Sequence, residues 1–395
     1  MSTRLLSGEA VGPRSARTAP PTERPTWAEV DLDAITANAA ALKAHAVAPA
    51  LMAVVKADGY GHGLVPAARA VLAGGADWLA VALVEEGRAL RAAGIDAPIL
   101  VMTEPPPHAA GALLAARLTP AVYTHAFLTA LERAAETTPT GSVGVHVKLD
   151  TGMRRVGVPQ ADWEDVLTRV RDAHGLSLEG LWSHHAVADE PDHPFIAHQT
   201  VEFDRGVELA RRLGTKPAIT HLANSAATLH LPDSHHDMVR PGLALYGLEP
   251  TEGLAKALDL RPALALYSSL SLVKELEAGE GVSYGLTWAS RDPTVLGTVP
   301  AGYADGVARA LGNVGEAVVH EQRVHIAGRV CMDQFCVDLG RGSRAGVGDE
   351  VCLIGRQGDA VVTADDWAGW LGTINYEIVC GVGARVPRTY VGAVA

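Results

Sequence analysis

Between residues 50 and 246 short apolar runs alternate with amphipathic stretches. The runs are Leu51–Val55, Trp78–Leu83, Ile99–Met102, Leu118–Tyr123, Val143–Leu149, Leu178–Trp182, Ala218–Leu222 and Met238–Tyr246. Short continuous apolar runs suit strands buried on both faces, and strands separated by helices suit a parallel sheet. Eight such units predict an α/β fold of the (β/α)8 barrel kind. The intervening stretches behave as helices. In Asp162–His174 the apolar Trp163, Val166, Leu167 and Val170 recur at helical spacing, and Gly175 follows as a stop, as do Gly74, Gly94 and Gly214 elsewhere. From Arg261 onward the pattern changes to alternating strands between glycine turns, such as Arg323–Ile326 and Val351–Ile354, with one short helix candidate at Ala364–Leu371. The expected organisation is therefore a barrel over 25–258 and a mainly β domain over 259–395, with 25–32 a candidate strand of the second. Residues 1–24, rich in Ser, Thr, Arg and Pro, are read as a disordered tail.

Composition narrows the function classes. The chain has 395 residues, 48% hydrophobic and 20% charged, with a formal charge of −12. It is long enough for two globular domains, and the acidic balance argues against a phosphate backbone as partner, so nucleic acid is not expected. The cysteines Cys331, Cys336, Cys352 and Cys380 form no CxxC pair and no metal-ligand spacing. They are read as reduced thiols, with no metal. No stretch resembles a signal peptide or approaches the ~20 apolar residues of a membrane span, so a cytoplasmic location without membrane partners is expected.

Lysine is scarce: only Lys43, Lys56, Lys148, Lys216, Lys256 and Lys274 among 33 basic residues. Barrel chemistry sits where strands end and βα loops begin. Lys56 closes the run Leu51–Val55 and opens a glycine-rich loop, Ala57-Asp58-Gly59-Tyr60-Gly61-His62-Gly63. An ammonium beside apolar strand residues loses its proton more readily, which makes the amine nucleophilic towards an aldehyde cofactor. Position alone fits a snorkelling strand-end lysine equally well.

The whole string AVVKADGYGHG at 53–63 resembles the attachment signature for pyridoxal 5′-phosphate (PLP) in the alanine racemase family. The resemblance continues in order through VKLDTGMRRVG (147–157), SHHAVADE (183–190), HLANSAA (221–227), VRPGLALYG (239–247), VSYGLTW (282–288), GYADG (302–306), GRVCMDQ (328–334) and INYE (374–377). It implies a PLP-dependent racemase that interconverts L- and D-alanine, supplies D-alanine for peptidoglycan, and works as a homodimer with shared active sites.

Residue by residue, the resemblance implies that Lys56 carries PLP and that Tyr60, Asn224, Ser225, Gly242, Leu243 and Tyr376 surround the cofactor, most of them at its phosphate. Arg240 would donate to the pyridine nitrogen, with His184 against the ring; His185 competes for that place on sequence alone. Arg155 would contact the cofactor's 3′-oxygen and the substrate carboxylate, with Arg154 as its competitor, and Lys148 is a candidate for N-carbamylation that would orient Arg155. Racemisation needs a proton carrier on each face of the substrate, and Lys56 and Tyr284 are the implied pair. A tyrosine hydroxyl, ordinarily near pKa 10, needs nearby positive charge to serve as a base at neutral pH. Met332 and Asp333 would reach the substrate from the second subunit. Asp189, Tyr303, Arg309, Arg329 and Ile374 would line a narrow corridor selecting a small amino acid. Three alternatives stay open: a racemase of another small amino acid such as serine, another barrel-type PLP enzyme such as a decarboxylase or aldolase, and a non-catalytic PLP carrier. The β domain bearing Tyr284 separates them, because a single-barrel carrier would lack it.

Overall fold

The computed structural model describes residues 23–136 and 142–392. The chain forms two compact units, one of Leu32–Pro262 and one that joins the N-terminal segment up to Asp31 with Ala263–Gly392. Most of the expected tail thus lies outside the described residues, but Arg24 is held. Its guanidinium donates to Asp305 Oδ1 at 2.8 Å and to the Arg385 carbonyl.

Strand β1 (Trp27–Asp31) lies in the second of these units. The other holds β2 (Ala50–Val54), β3 (Trp78–Val81), β4 (Ile99–Val101), β5 (Thr119–Val122), β6 (Val143–Lys148), β7 (Leu176–Trp182), β8 (Ile219–His221) and β9 (Met238–Val239). These pair in the order β8-β7-β6-β5-β4-β3-β2-β9, all parallel. Hydrogen bonds from Asp237 N to Thr220 O and from Arg240 N to Ala223 O tie the last strand to β8. The eight-stranded barrel expected from the apolar runs is what the chain forms. The helix Trp163–Asp172 buries Trp163, Val166, Leu167 and Val170, the stripe its spacing predicts. Burying such side chains contributes roughly 1.5–3 kcal/mol each. A charge at Val170 would therefore break the helix's seat on the barrel.

In the other unit β1 runs antiparallel to β10 (Leu264–Ser269), with Trp27 opposite Tyr267, and parallel to Arg388–Val391. That sheet continues through Glu350–Gln357 and Glu316–Val319 to Gln322–His325, while Leu272–Leu276, Thr294–Val299 and Phe335–Gly340 make a separate three-stranded sheet. Pairing of β1 with β10 explains why the first strand leaves the barrel: its edge is filled by residues more than two hundred positions away.

Gly74 follows the helix Leu64–Ala73 as its stop, as read, but two local readings need correction. The run Met238–Tyr246 is a strand only over its first two residues, and Leu243–Tyr246 is a 3-10 turn. Every residue there is buried, and periodicity alone cannot tell a buried strand from a buried helical turn. A second short helix, Asn375–Cys380, follows Ala364–Leu371; its six residues are too few to display a helical period.

Candidate active site

Lys56 stands at the C-terminal end of β2, where a barrel places its chemistry. The glycine-rich segment after it is no simple loop. Ala57, Asp58, Gly59 and Tyr60 all have φ between 53° and 60°, a single left-handed helical turn. For a non-glycine residue this costs roughly 1–2 kcal/mol, and three of the four are non-glycine. The turn is held by its own bonds, Gly59 N to Val55 O at 2.9 Å and Gly61 N to Ala57 O at 3.0 Å. It is also held from outside: Glu86 accepts from Ala57 N at 2.6 Å and from the Ala82 and Leu83 N–H groups, and Asp58 Oδ1 accepts from Leu64 N. The turn brings the Tyr60 ring inward, 8% exposed and 5.1 Å from Tyr246.

Tyr60 meets a cradle made where β8 and β9 end. A Cβ added to Gly242 would lie 2.4 Å from the Tyr60 hydroxyl, so only glycine lets that hydroxyl approach the backbone. The Ser225 hydroxyl accepts from Gly242 N at 2.8 Å and is 3.4 Å from Ala244 N. Asn224 caps the short helix Ser225–His230 by accepting from Ala227 N, and Leu243 is wholly buried beside Gly242. Hydroxyls and backbone N–H groups gathered at strand ends make a place suited to an anion. Four of the expected phosphate positions, Tyr60, Ser225, Gly242 and Leu243, are thus neighbours.

Beside the cradle lies a cationic floor. Arg240, 3% exposed, donates to the Ser183 carbonyl at 2.8 Å, the Leu222 carbonyl at 3.1 Å, His221 Nδ1 at 3.0 Å and His184 Nδ1 at 3.3 Å. Burial pushes its guanidinium down to about 9, which still leaves it protonated at neutral pH. Lys148, 5% exposed, sits 4.3 Å above the Trp182 ring; burial, helped by Arg240, Arg155 and Lys56, pushes its ammonium down to about 7. His184 is held neutral, well below the usual histidine range, by burial and by the charges of Arg240, Lys148, Arg155 and Lys56. Four cations acting on one imidazole define an electropositive centre. An anionic ligand fits it.

The neighbours that competed in sequence separate here. His185 bonds the Ser234 hydroxyl at 2.9 Å, whereas it is His184 that takes a hydrogen bond from Arg240. Arg154 is exposed, in the left-handed region, and paired with Asp150, whereas Arg155 is the one whose charge reaches Lys148 and His184. Asp189 is exposed on a turn and its carbonyl accepts from Thr251. Trp182, His221 and His146, none of them singled out in the sequence, belong to this floor. The available signal was their place in otherwise apolar strand runs.

The remaining expected residues lie in the β unit. Tyr284 opens a 3-10 turn and is 73% exposed; Met332, Ile374 and Tyr303 are 53%, 59% and 43% exposed. The turn rests on Ser283, whose hydroxyl donates to the Arg329 carbonyl, and the Arg329 guanidinium passes close to Gly285. Tyr303 and Met332 are tied through Tyr303 N to Cys331 O and Ala304 N to Met332 O. Asp333 is engaged by Arg385 at 2.7 Å, Arg309 begins a 3-10 turn, and Tyr376 lies in the helix Asn375–Cys380.

The N-terminal domain of alanine racemase, as a family model, matches residues 30–250, and the C-terminal domain matches 263–390. The chain belongs to the alanine racemase family. An alanine racemase of Frankia casuarinae is 46% identical over 370 residues, covering 92% of this chain and 96% of its own. One of Symbiobacterium thermophilum is 45% identical, covering 94% and 98%. Among solved family structures, alanine racemase from a D-cycloserine-producing Streptomyces lavendulae superposes with a TM-score of 0.91 at 42% identity, over 94% of this chain and 98% of that one. The enzyme of Streptomyces coelicolor A3(2) gives 0.90 at 44% identity, over 93% and 98%. Agreement over both units makes the likeness one of the whole family architecture and not of a barrel alone.

Proposed function

We propose that this chain interconverts L- and D-alanine with PLP held at Lys56. The carrying observation is the cradle of Tyr60, Ser225 and Gly242 set beside the buried cations Arg240 and Lys148. Lys56 is the residue that would link to PLP; Tyr60, Ser225, the backbone of Gly242 and Leu243, with Asn224 and Tyr376, would hold its phosphate. When bound, PLP supplies an electron-withdrawing ring that makes the substrate Cα–H acidic. Arg240 would face the ring nitrogen. Because it keeps its own protons, it would leave that nitrogen unprotonated and the withdrawal moderate, a setting that would favour proton exchange over further chemistry.

Arg155 would grip the substrate carboxylate with its two-pronged fork. Lys56 Nζ carries the proton on one face of Cα and Tyr284 Oη on the other. In this reading Tyr284, Met332 and Asp333 come from a second copy of the chain in a homodimer, with Asp189, Tyr303, Arg309, Arg329 and Ile374 lining the way in. Lys148, pushed down to about 7, keeps a substantial neutral fraction, and a neutral amine is what N-carbamylation requires. The carbamate would replace a buried cation by an anion facing Arg155. The D-alanine produced would serve peptidoglycan in the cytoplasm; no helix among the described residues is long and apolar enough to cross a membrane.

The test is chiral analysis of products after incubating the PLP-loaded protein with L-alanine and, separately, L-serine. D-alanine is expected, faster than D-serine. Equal or faster serine conversion would move the substrate assignment, and absence of any D-product would overturn the activity.

A further inference from the structure

Arg240 is buried, yet among the described residues none of its four hydrogen-bond acceptors is a carboxylate. A buried cation without counter-charge is costly. One of those acceptors leads to a carboxylate. A guanidinium can only donate, so His221 Nδ1 accepts and its proton sits on Nε2. That N–H lies 2.9 Å from His146 Nδ1, which therefore also accepts, and His146 carries its proton on Nε2. His146 Nε2 is buried without a hydrogen-bond partner and faces Glu179 Oε2 at 3.7 Å. Every donor in the string points from Arg240 towards Glu179.

The backbone is shaped around this string. The pairing of β6 with β7 shifts register between Val145 and His146: Val145 lies opposite Leu178 and His146 opposite Gly180, so Glu179 is the extra residue. Such a bulge re-aims a side chain. A Cβ on Gly180 would lie 2.3 Å from His146 Nδ1, and one on Gly144 would lie 2.4 Å from Glu179 Oε2. Each strand thus clears room for the other's polar group. Trp182 stacks on His221 at an interplanar angle of 4° and keeps that ring in line.

We propose that Glu179 and His146 are positioning residues that act on the cofactor site through His221 and Arg240. The distant carboxylate polarises both imidazoles, strengthens the grip of His221 Nδ1 on the guanidinium, and offsets part of its buried charge. Arg240 is thereby fixed in plane and moderated in strength as a donor. The cofactor part of this proposal rests on the PLP-dependent function proposed for the chain. The tautomer part stands on the protein alone.

The test uses wild type, Glu179→Leu and Glu179→Gln. In the cofactor-free protein, nitrogen NMR of the imidazoles should find His146 and His221 as single Nε2–H tautomers in the wild type and in Glu179→Leu alike, since Arg240 sets them, while the His146 Nε2 resonance should shift in Glu179→Leu. In the PLP-loaded protein, Glu179→Leu should shift the visible absorption and lower kcat about tenfold, with KM within about twofold. Glu179→Gln, which keeps an acceptor, should recover most of that loss. An Nδ1–H proton on either wild-type ring would overturn the string. A Leu variant with wild-type absorption and kcat would overturn its role. A wild type that takes up no PLP would defeat the cofactor reading while the NMR outcome still decides the string. Should Glu179→Leu not fold, Glu179→Asp, which shortens the reach to His146, carries the same readouts.

Discussion

In the barrel unit Arg240 and Lys148 are 3% and 5% exposed and their charges act at close range, whereas in the β unit Tyr284 and Met332 are 73% and 53% exposed. The first group makes its own environment. Burial lowers the proton affinity of Lys148, His184 and Arg240, and the charge of Arg240 further depresses Lys148 and His184. The second group faces solvent, where charge is screened. The contrast teaches that one set of residues is buried within its own unit and the other lies open, where a second copy of the chain would cover it in the proposed dimer.

The largest expected effect comes from the barrel side. Lys56→Ala should lose the borohydride-reducible link to PLP and several orders of magnitude in racemisation; a reducible link surviving at another lysine would break the assignment. Next comes the exposed side. Tyr284→Phe should still take up PLP, yet slow conversion of both enantiomers by about 10²–10⁴. An undiminished rate would show that the β unit supplies no proton carrier.

Smaller effects sharpen the barrel side. Ser225→Ala leaves Gly242 N without its acceptor and should weaken PLP binding roughly tenfold, read by absorbance titration. Lys148→Met should be more stable than wild type, because the lysine's folded pKa, about 7, lies below its unfolded 10.5. Between those values the unfolded chain binds more protons, so the penalty is full below pH 7 and vanishes as pH rises towards 10.5. Denaturant unfolding of cofactor-free protein in bicarbonate-free buffer should show an advantage of about 3–5 kcal/mol at pH 6 that shrinks across that window. A constant advantage would mean that the lysine is not desolvated.

Much of this was legible along the chain. The apolar runs foretold the barrel because strands buried on both faces leave a compositional trace, and Lys56 stood out because a charge closing such a run demands a reason. Tyr284 and Ser225 were legible only through the surrounding strings, since a single hydroxyl has no pattern of its own. The left-handed turn at Ala57–Tyr60 escaped notice because three of its four residues do not normally adopt that conformation. Glu179 and His146 escaped for another reason: each looks like an ordinary polar residue near a strand, and only the register shift and two glycines give them a common direction.

Sequence by itself determined the strand and helix periods, the change of character near Arg261 and the lysine at the end of β2, all of which depend on residues close together in the chain. Tertiary structure alone decided that β1 pairs with β10, that the charge of Arg155 reaches His184, and that Arg240 bonds His221 and His221 bonds His146, whose far nitrogen faces Glu179. Those outcomes turn on burial, field and distances of a few ångströms between residues far apart in the chain, quantities that exist only once the strands have closed.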